Sequence, residues 1–166
     1  EVRVPGDWCT WVRDVQPSGW SFEFENDLYP DIDDTAMVML ALHRAGALDP
    51  ETRTRSLAWI FAMQSASGGW AAFDKDNTSR IPALIPFADF GEMIDPPSAD
   101  VTAHVVEMLG VLGFERTHPA VARALAYLYA EQEPEGSWFG RWGVNHVYGT
   151  GAVLPALPGI PMIFGG

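Results

Sequence analysis

The sequence predicts an all-α protein assembled from helix pairs, and three observations carry that expectation. Apolar residues recur at helical spacing in several segments bounded by capping residues, Gly and Pro. No stretch shows the strict alternation of a half-buried strand. One helix ending also occurs twice: Arg55, Leu57, Ala58, Trp59, Ala62 and Gln64 find counterparts in Arg123, Leu125, Ala126, Tyr127, Ala130 and Gln132. Each copy runs on at the same spacing, through Gly68 to Trp70 and through Gly136 to Trp138. One further helix separates the copies, so the repeating unit is a helix pair. Gln can bond the open carbonyls at a helix end, Gly permits the sharp turn, and Trp packs back over it. Gln16, Gly19 and Trp20 form a similar ending, out of frame. Repeats of this kind close into a toroid or stack as a solenoid.

In order, residues 1–30 are rich in aromatics, Gly and Pro and read as loop with at most a short turn. A helix is expected over 35–45, with Asp34 or Thr35 as its N-cap and Gly46 as its stop. Asp49, Pro50 and Glu51 open a second helix to about Ser65, with Leu57, Ile60 and Phe61 on its apolar face. Residues 68–97 make a long connection, and a connection of that length in a compact domain is usually functional. Ser98 caps a third helix to about Leu112, and a fourth runs from His118 to about Gln132. A Gly-rich turn over 140–151 then leads to a short helix at 152–157.

The chain has 166 residues, 48% of them hydrophobic, which suits one domain with a sizeable core. Its formal charge is −12 and Lys75 is its single lysine, so no basic stripe exists to neutralise nucleic-acid phosphates. Cys9 is the only cysteine, which excludes an intrachain disulfide and argues against a structural zinc site. No apolar run is long enough to span a membrane. The chain opens on Glu1 and closes in a Gly- and Pro-rich stretch, which reads as a section of a longer protein.

The chemistry concentrates at Asp31, Asp33 and Asp34, three carboxylates within four residues and directly ahead of the apolar run 36–42. At a helix N-terminus the backbone N–H groups and the helix dipole favour negative charge. Carboxylates so close cannot all ionise freely: repulsion and burial push at least one pKa upward, and the group titrates as a coupled unit. A carboxylic acid kept protonated near neutral pH can act as a general acid. Alone, such a cluster would equally serve as a solvated acidic cap or a weak cation site.

The run from Asp31 to Ala36 (DIDDTA) and the two Gln-to-Trp repeats resemble the squalene–hopene cyclases, the bacterial class II triterpene cyclases. So do the segments from Asp95 to His104 (DPPSADVTAH) and from Gly140 to Ala152 (GRWGVNHVYGTGA). The resemblance covers about residues 5–155 and corresponds to the central and C-terminal catalytic section of a family several times longer. It implies part of an α/α barrel and proton-initiated cyclisation of squalene to hopene and hopanol, with no metal or redox cofactor. It places the proton donor at Asp33, with Asp31 and Asp34 carrying residual negative charge. Asp100 and His104, four apart on a helix and so on one face, form an Asp–His pair whose imidazolium stabilises the carboxylate left on Asp33. Tyr148 matches a tyrosine that joins this network. Phe22 and Phe73 match positions lining the cavity beside mid-cyclisation cations, and Trp142 one beside the initiating end. Aromatic faces stabilise a cation without trapping it. Family members often carry Tyr where this chain has Phe73, which bears on the product profile. Trp70 and Trp138 read as structural parts of the repeat turns.

The same resemblance implies a monotopic, peripheral place on the cytoplasmic face of the bacterial inner membrane, a polyprenyl partner such as squalene, and allows a homodimer. The apolar loop 81–87, with its two prolines, reads as a channel wall, a membrane contact or a loop packed on its neighbours. Two other functions share these features. One is a class II cyclase acting on another prenyl chain, such as a diterpene precursor or a partly cyclised C35 substrate. The other is a non-catalytic toroid that binds a ligand, which would have no need to keep Asp33, Asp100, His104 and Tyr148 together. Residues 1–166 alone are expected to be inactive.

Overall fold

The helix-forming stretches become five α-helices in the computed structural model, which describes residues 1–77 and 95–157. They are α1 (Ile32–Arg44), α2 (Pro50–Met63), α3 (Ala99–Val111), α4 (Pro119–Ala130) and α5 (His146–Ala156), preceded by one 3-10 turn at Asp7–Thr10. No strand occurs among the described residues, only isolated bridges such as Trp20 to Asp31. The apolar loop 81–87 lies outside the described residues. No described helix is long and apolar enough to cross a membrane.

Helix α3 is the hub. It packs against α1, α4 and α5, while α2 lies on α1. Val101, Ala103, Val105, Val106, Met108 and Leu109 are fully buried and spread around the helix, as in a helix with neighbours on most sides. The core extends through Ile32, Met39, Trp59, Ile60, Met63, Trp70 and Leu128, with Trp8 from the N-terminal loop meeting Trp59 edge to face at 6.0 Å.

Two boundaries differ from expectation. Helix α1 begins at Ile32 and its cap is Asp31, not Asp34 or Thr35: Asp31 Oδ1 accepts from the backbone N–H of Asp33 at 2.6 Å and of Asp34 at 3.1 Å. Of the three clustered aspartates only Asp31 keeps the extended backbone of a cap, at φ −102° and ψ 133°, while Asp33 and Asp34 already lie inside the helix. Helix α5 begins at His146, not Ala152, with Asn145 capping it through the Tyr148 N–H at 2.7 Å. Gly149 and Gly151 lie inside it, although glycine costs a helix interior about 1 kcal/mol and so reads as turn. Packing explains Gly149. A Cβ there would fall 2.4 Å from the Gly140 nitrogen and 2.5 Å from the Trp138 oxygen, so the helix can approach that backbone only without a side chain.

The two repeat turns have the same bonding. Gln64 donates to the Gly68 carbonyl at 2.7 Å and Gln132 to the Gly136 carbonyl at 2.9 Å, with both glycines at positive φ. The indole N–H of Trp70 reaches the Ile60 carbonyl at 2.7 Å, and that of Trp138 reaches Leu128 at 2.6 Å. Each turn is also tied to the helix that follows it: the backbone N–H of Trp70 donates to Thr102 Oγ1 at 2.9 Å and that of Trp138 to Thr150 Oγ1 at 3.0 Å. The out-of-frame ending makes the same tie, from Trp20 N–H to Thr35 Oγ1 at 2.9 Å.

The two glutamines are not equivalent. Gln64 is buried and also bonds the Ala120 carbonyl at 2.8 Å and the Arg123 guanidinium, whereas Gln132 is exposed. Gln64→Ala would strand the two buried carbonyls and should cost about 2–3 kcal/mol. Gln132→Ala should stay within about 0.5 kcal/mol. Urea unfolding followed by tryptophan fluorescence compares them, and equal midpoints would contradict this account.

Candidate active site

The N-terminal ends of α1, α3 and α5 meet. Asp33 is the second residue of α1, and its Oδ1 accepts from His104 Nδ1, in the second turn of α3, at 2.5 Å. Both side chains are largely sheltered, with exposures of 26% for Asp33 and 16% for His104. Burial works against charge on the imidazole, but the bond to Asp33 and the fields of Asp33, Asp100 and Glu107 outweigh it, so the His104 pKa stands above its ordinary value.

Asp31 is the most buried of the three clustered carboxylates. Burial drives its pKa up to about 7; the charges of Asp34 and Asp33 add to the rise, and the two backbone N–H bonds only partly oppose it. Asp34 is also raised, first by burial and then by the Asp33 charge. The upward shift expected of the cluster is therefore strongest at Asp31, the member that also caps the helix.

Asp100 is 1% exposed and occupies the second position of α3, as Asp33 does in α1. Its carboxylate does not pair directly with His104: among the described residues the two form no hydrogen bond, and no ion pair within 4.0 Å. A short aspartate at a helix start turns toward nearby backbone N–H groups, here those of Val101 at 3.1 Å and Trp142 at 2.9 Å. It thereby ties the loop before α5 to α3, and its charge reaches His104 only through space. The Tyr148 ring stands edge-on to His104 with centroids 6.4 Å apart. Burial, followed by the charges of Asp33 and Asp100, raises its pKa.

In front of Asp33 is a cavity of about 240 Å³ lined by Phe22, Asp31, Asp33, Asp34, Ala72, Phe73 and Trp142. All three clustered aspartates and all three aromatics named from sequence share this wall. Phe73 meets Trp142 edge to face at 5.9 Å. Phe22 and Trp142 are 79% and 50% exposed, so among the described residues the wall is open on one side. Among the described residues no group of three or more His, Cys, Asp or Glu could hold a metal ion.

Sequence reasoning assigned no role to Asp95. Its buried carboxylate accepts from three successive backbone N–H groups, Ala72 at 3.4 Å, Phe73 at 2.6 Å and Asp74 at 2.9 Å, although burial pushes its pKa up. The Ala72 carbonyl in turn accepts from the Ile32 N–H at 2.8 Å, so this segment is fastened to the start of α1 with Phe73 facing the cavity. The available signal was an acid placed directly before Pro96 and Pro97, with no cation nearby in sequence.

The helix-pair scaffold thus sets a carboxyl–imidazole pair beside a cavity walled by three aromatic rings and three carboxylates. The model of the squalene–hopene cyclase C-terminal domain family matches residues 1–162. The chain belongs to that family. It is 51% identical over 164 residues to the squalene–hopene cyclase of Alicyclobacillus acidocaldarius, an alignment covering 96% of this chain and 26% of that protein. The Zymomonas mobilis squalene–hopene cyclase is 47% identical, over 94% of this chain and 25% of that protein. Dammaradiene synthase of Dryopteris crassirhizoma is 46% identical, over 82% and 22%. The chain thus spans about a quarter of the length of these relatives.

Proposed function

We propose that this chain is the acid-bearing section of a longer cyclase that converts squalene to hopene and hopanol by protonation and ring closure, an intramolecular transferase. The observation that carries the reading is the double placement of Asp33, bonded to His104 on one side and lining the aromatic cavity on the other. The imidazolium N–H occupies one carboxyl oxygen, and the other delivers its proton to the terminal alkene of the substrate. The tertiary cation so formed is attacked by the next double bond, and the closures continue until the last cation loses a proton or captures water. The charge left on Asp33 is balanced by His104, which Asp100 keeps charged through its field and against which the Tyr148 ring stands edge-on. Asp31 and Asp34 hold the residual negative charge, and Phe22, Phe73 and Trp142 present their faces to the moving cation. Protons come from water, so the reaction balances without metal or redox cofactor.

The partner that follows is a polyprenyl chain reached at a membrane surface, with the longer protein seated peripherally on the cytoplasmic face of a bacterial inner membrane, as a monomer or a homodimer. A different product from the same substrate has its own support: Phe73 replaces the Tyr frequent in the family, and one relative is named for another product, dammaradiene.

The test incubates the longer parent protein, and separately residues 1–166, with squalene and with geranylgeranyl diphosphate. Hopene and hopanol from the parent with squalene are expected, and none from residues 1–166, which span about a quarter of the length of the relatives. Product from the diphosphate alone would transfer the assignment to a diterpene cyclase, and turnover by residues 1–166 would overturn the need for the rest of the chain.

A further inference from the structure

We propose that Thr35, Thr102 and Thr150 are positioning residues that fix the rotation of the three helices carrying the acid network. The inference rests on the reading of Asp33 and His104 as the proton-donating pair. Each threonine hydroxyl accepts the backbone N–H of the tryptophan in a preceding turn, at 2.9, 2.9 and 3.0 Å. Each also lies two residues beyond a member of the network: Asp33 before Thr35, Asp100 before Thr102 and Tyr148 before Thr150. Two residues along an α-helix is a rotation of about 200°. Pinning the threonine to the turn on one side therefore aims the residue two before it at the opposite side, where the three helix starts meet. His104, two beyond Thr102, is brought to the same side as Asp100.

Apolar packing does not supply this aim. Helix α3 is buried nearly all round, from Val101 to Leu109, so several rotations would bury similar area. A single directional bond in a dry setting separates them, because any other rotation strands the Trp70 N–H. The turns are firm anchors: the rings of Trp70 and Trp138 are buried and bonded through their indole N–H groups. Thr35 and Thr102 are both fully buried and both fourth in their helices, and Thr150 is fifth in α5. The repeat that the sequence displays as a turn motif is, on this account, also a repeat of the latch that orients the chemistry.

The test uses Thr102→Val, which keeps shape and removes the hydroxyl, in the full-length parent, with Thr102→Ser as rescue and Val105→Ala as a control for lost packing in the same helix. All are assayed well below their melting temperatures. Thr102→Val should lower kcat about tenfold or more with KM little changed, as a misaligned donor does. Thr102→Ser should restore it. Histidine-labelled NMR of the same proteins follows the titration of His104, which Asp33 of α1 and Asp100 and Glu107 of its own helix raise and which the Tyr148 ring of α5 faces edge-on. It should move down in Thr102→Val, return in Thr102→Ser and stay in place in Val105→Ala. If Thr102→Val loses stability like Val105→Ala while kcat and the titration hold, the proposal is overturned. Should Thr102→Val not accumulate, Thr150→Val carries the same expectation, and an unchanged kcat there overturns it. A parent that ignores squalene refutes the functional reading alone, since the titration does not depend on the substrate.

Discussion

Asp33→Asn in the full-length parent should abolish squalene cyclisation, lowering turnover by about 10³-fold or more while the fold is retained. Asparagine matches the shape of aspartate and keeps a carbonyl oxygen that can accept the His104 Nδ1–H now bonded at 2.5 Å. The α1 cap is untouched, because it belongs to Asp31. What disappears is the transferable proton. Near-parental hopene formation would disprove the donor assignment. Asp31 is the natural rival, being more buried and still protonated up to about pH 7. Asp31→Asn arbitrates, since asparagine caps a helix as well as aspartate does. If Asp33 is the donor, Asp31→Asn slows the reaction without abolishing it. Were Asp31→Asn inactive and Asp33→Asn active, the donor would be Asp31.

The helical class, the helix-pair repeat and the existence of all five helices were legible because the signals are local: caps, Gly and Pro stops, and a repeated Gln-to-Trp ending. The misplaced starts of α1 and α5 have physical causes that no local pattern carries. At α1 the cap is Asp31 because its backbone stays extended while Asp33 and Asp34 already lie in the helix, and at α5 two glycines imitate a turn, one of them, Gly149, required because packing against Trp138 and Gly140 leaves no room for a Cβ. The site shows the same division. Residue types and motif order pointed to Asp33 and His104, and their bond, along with the cavity shared by Phe22, Phe73 and Trp142, matches that arrangement. The i to i+4 spacing puts Asp100 and His104 on one face, and the Asp100 charge raises the His104 pKa, but through space, since its carboxylate accepts the backbone N–H groups of Val101 and Trp142. Asp95, Thr102 and Thr150 escaped notice, and Thr35 was read only as a cap candidate, because their partners are backbone N–H groups far away in sequence, which carry no residue-type signature.

His104→Ala should lower kcat by about 10²- to 10³-fold and change the shape of the pH profile. The sign follows from the raised pKa of the imidazole. The ring is cationic below that pKa and neutral above it, so parental activity should fall as pH rises through a value above 6.5. Without the ring the part of that limb set by the imidazolium should vanish, leaving only the fall imposed by the carboxyls of the cluster, whereas a mere packing defect would lower the profile and leave its shape. His104→Gln separates bond from charge: its amide can donate to Asp33 and recover part of the rate, but it cannot restore the limb. The same linkage appears in stability. His104 and Asp31 both have folded pKa values above their unfolded ones, so what they contribute is complete at low pH and is lost as pH rises, for Asp31 between about 4 and 7 and for His104 above 6.5. The parent should thus melt at a lower temperature at pH 8 than at pH 5, and Asp31→Asn should narrow the difference, because an uncharged cap removes the cost of ionising a buried carboxylate. An unchanged pH profile in His104→Ala would remove this histidine from the mechanism. A parental alkaline limb that survives in His104→Gln would assign the titration to Asp31 instead.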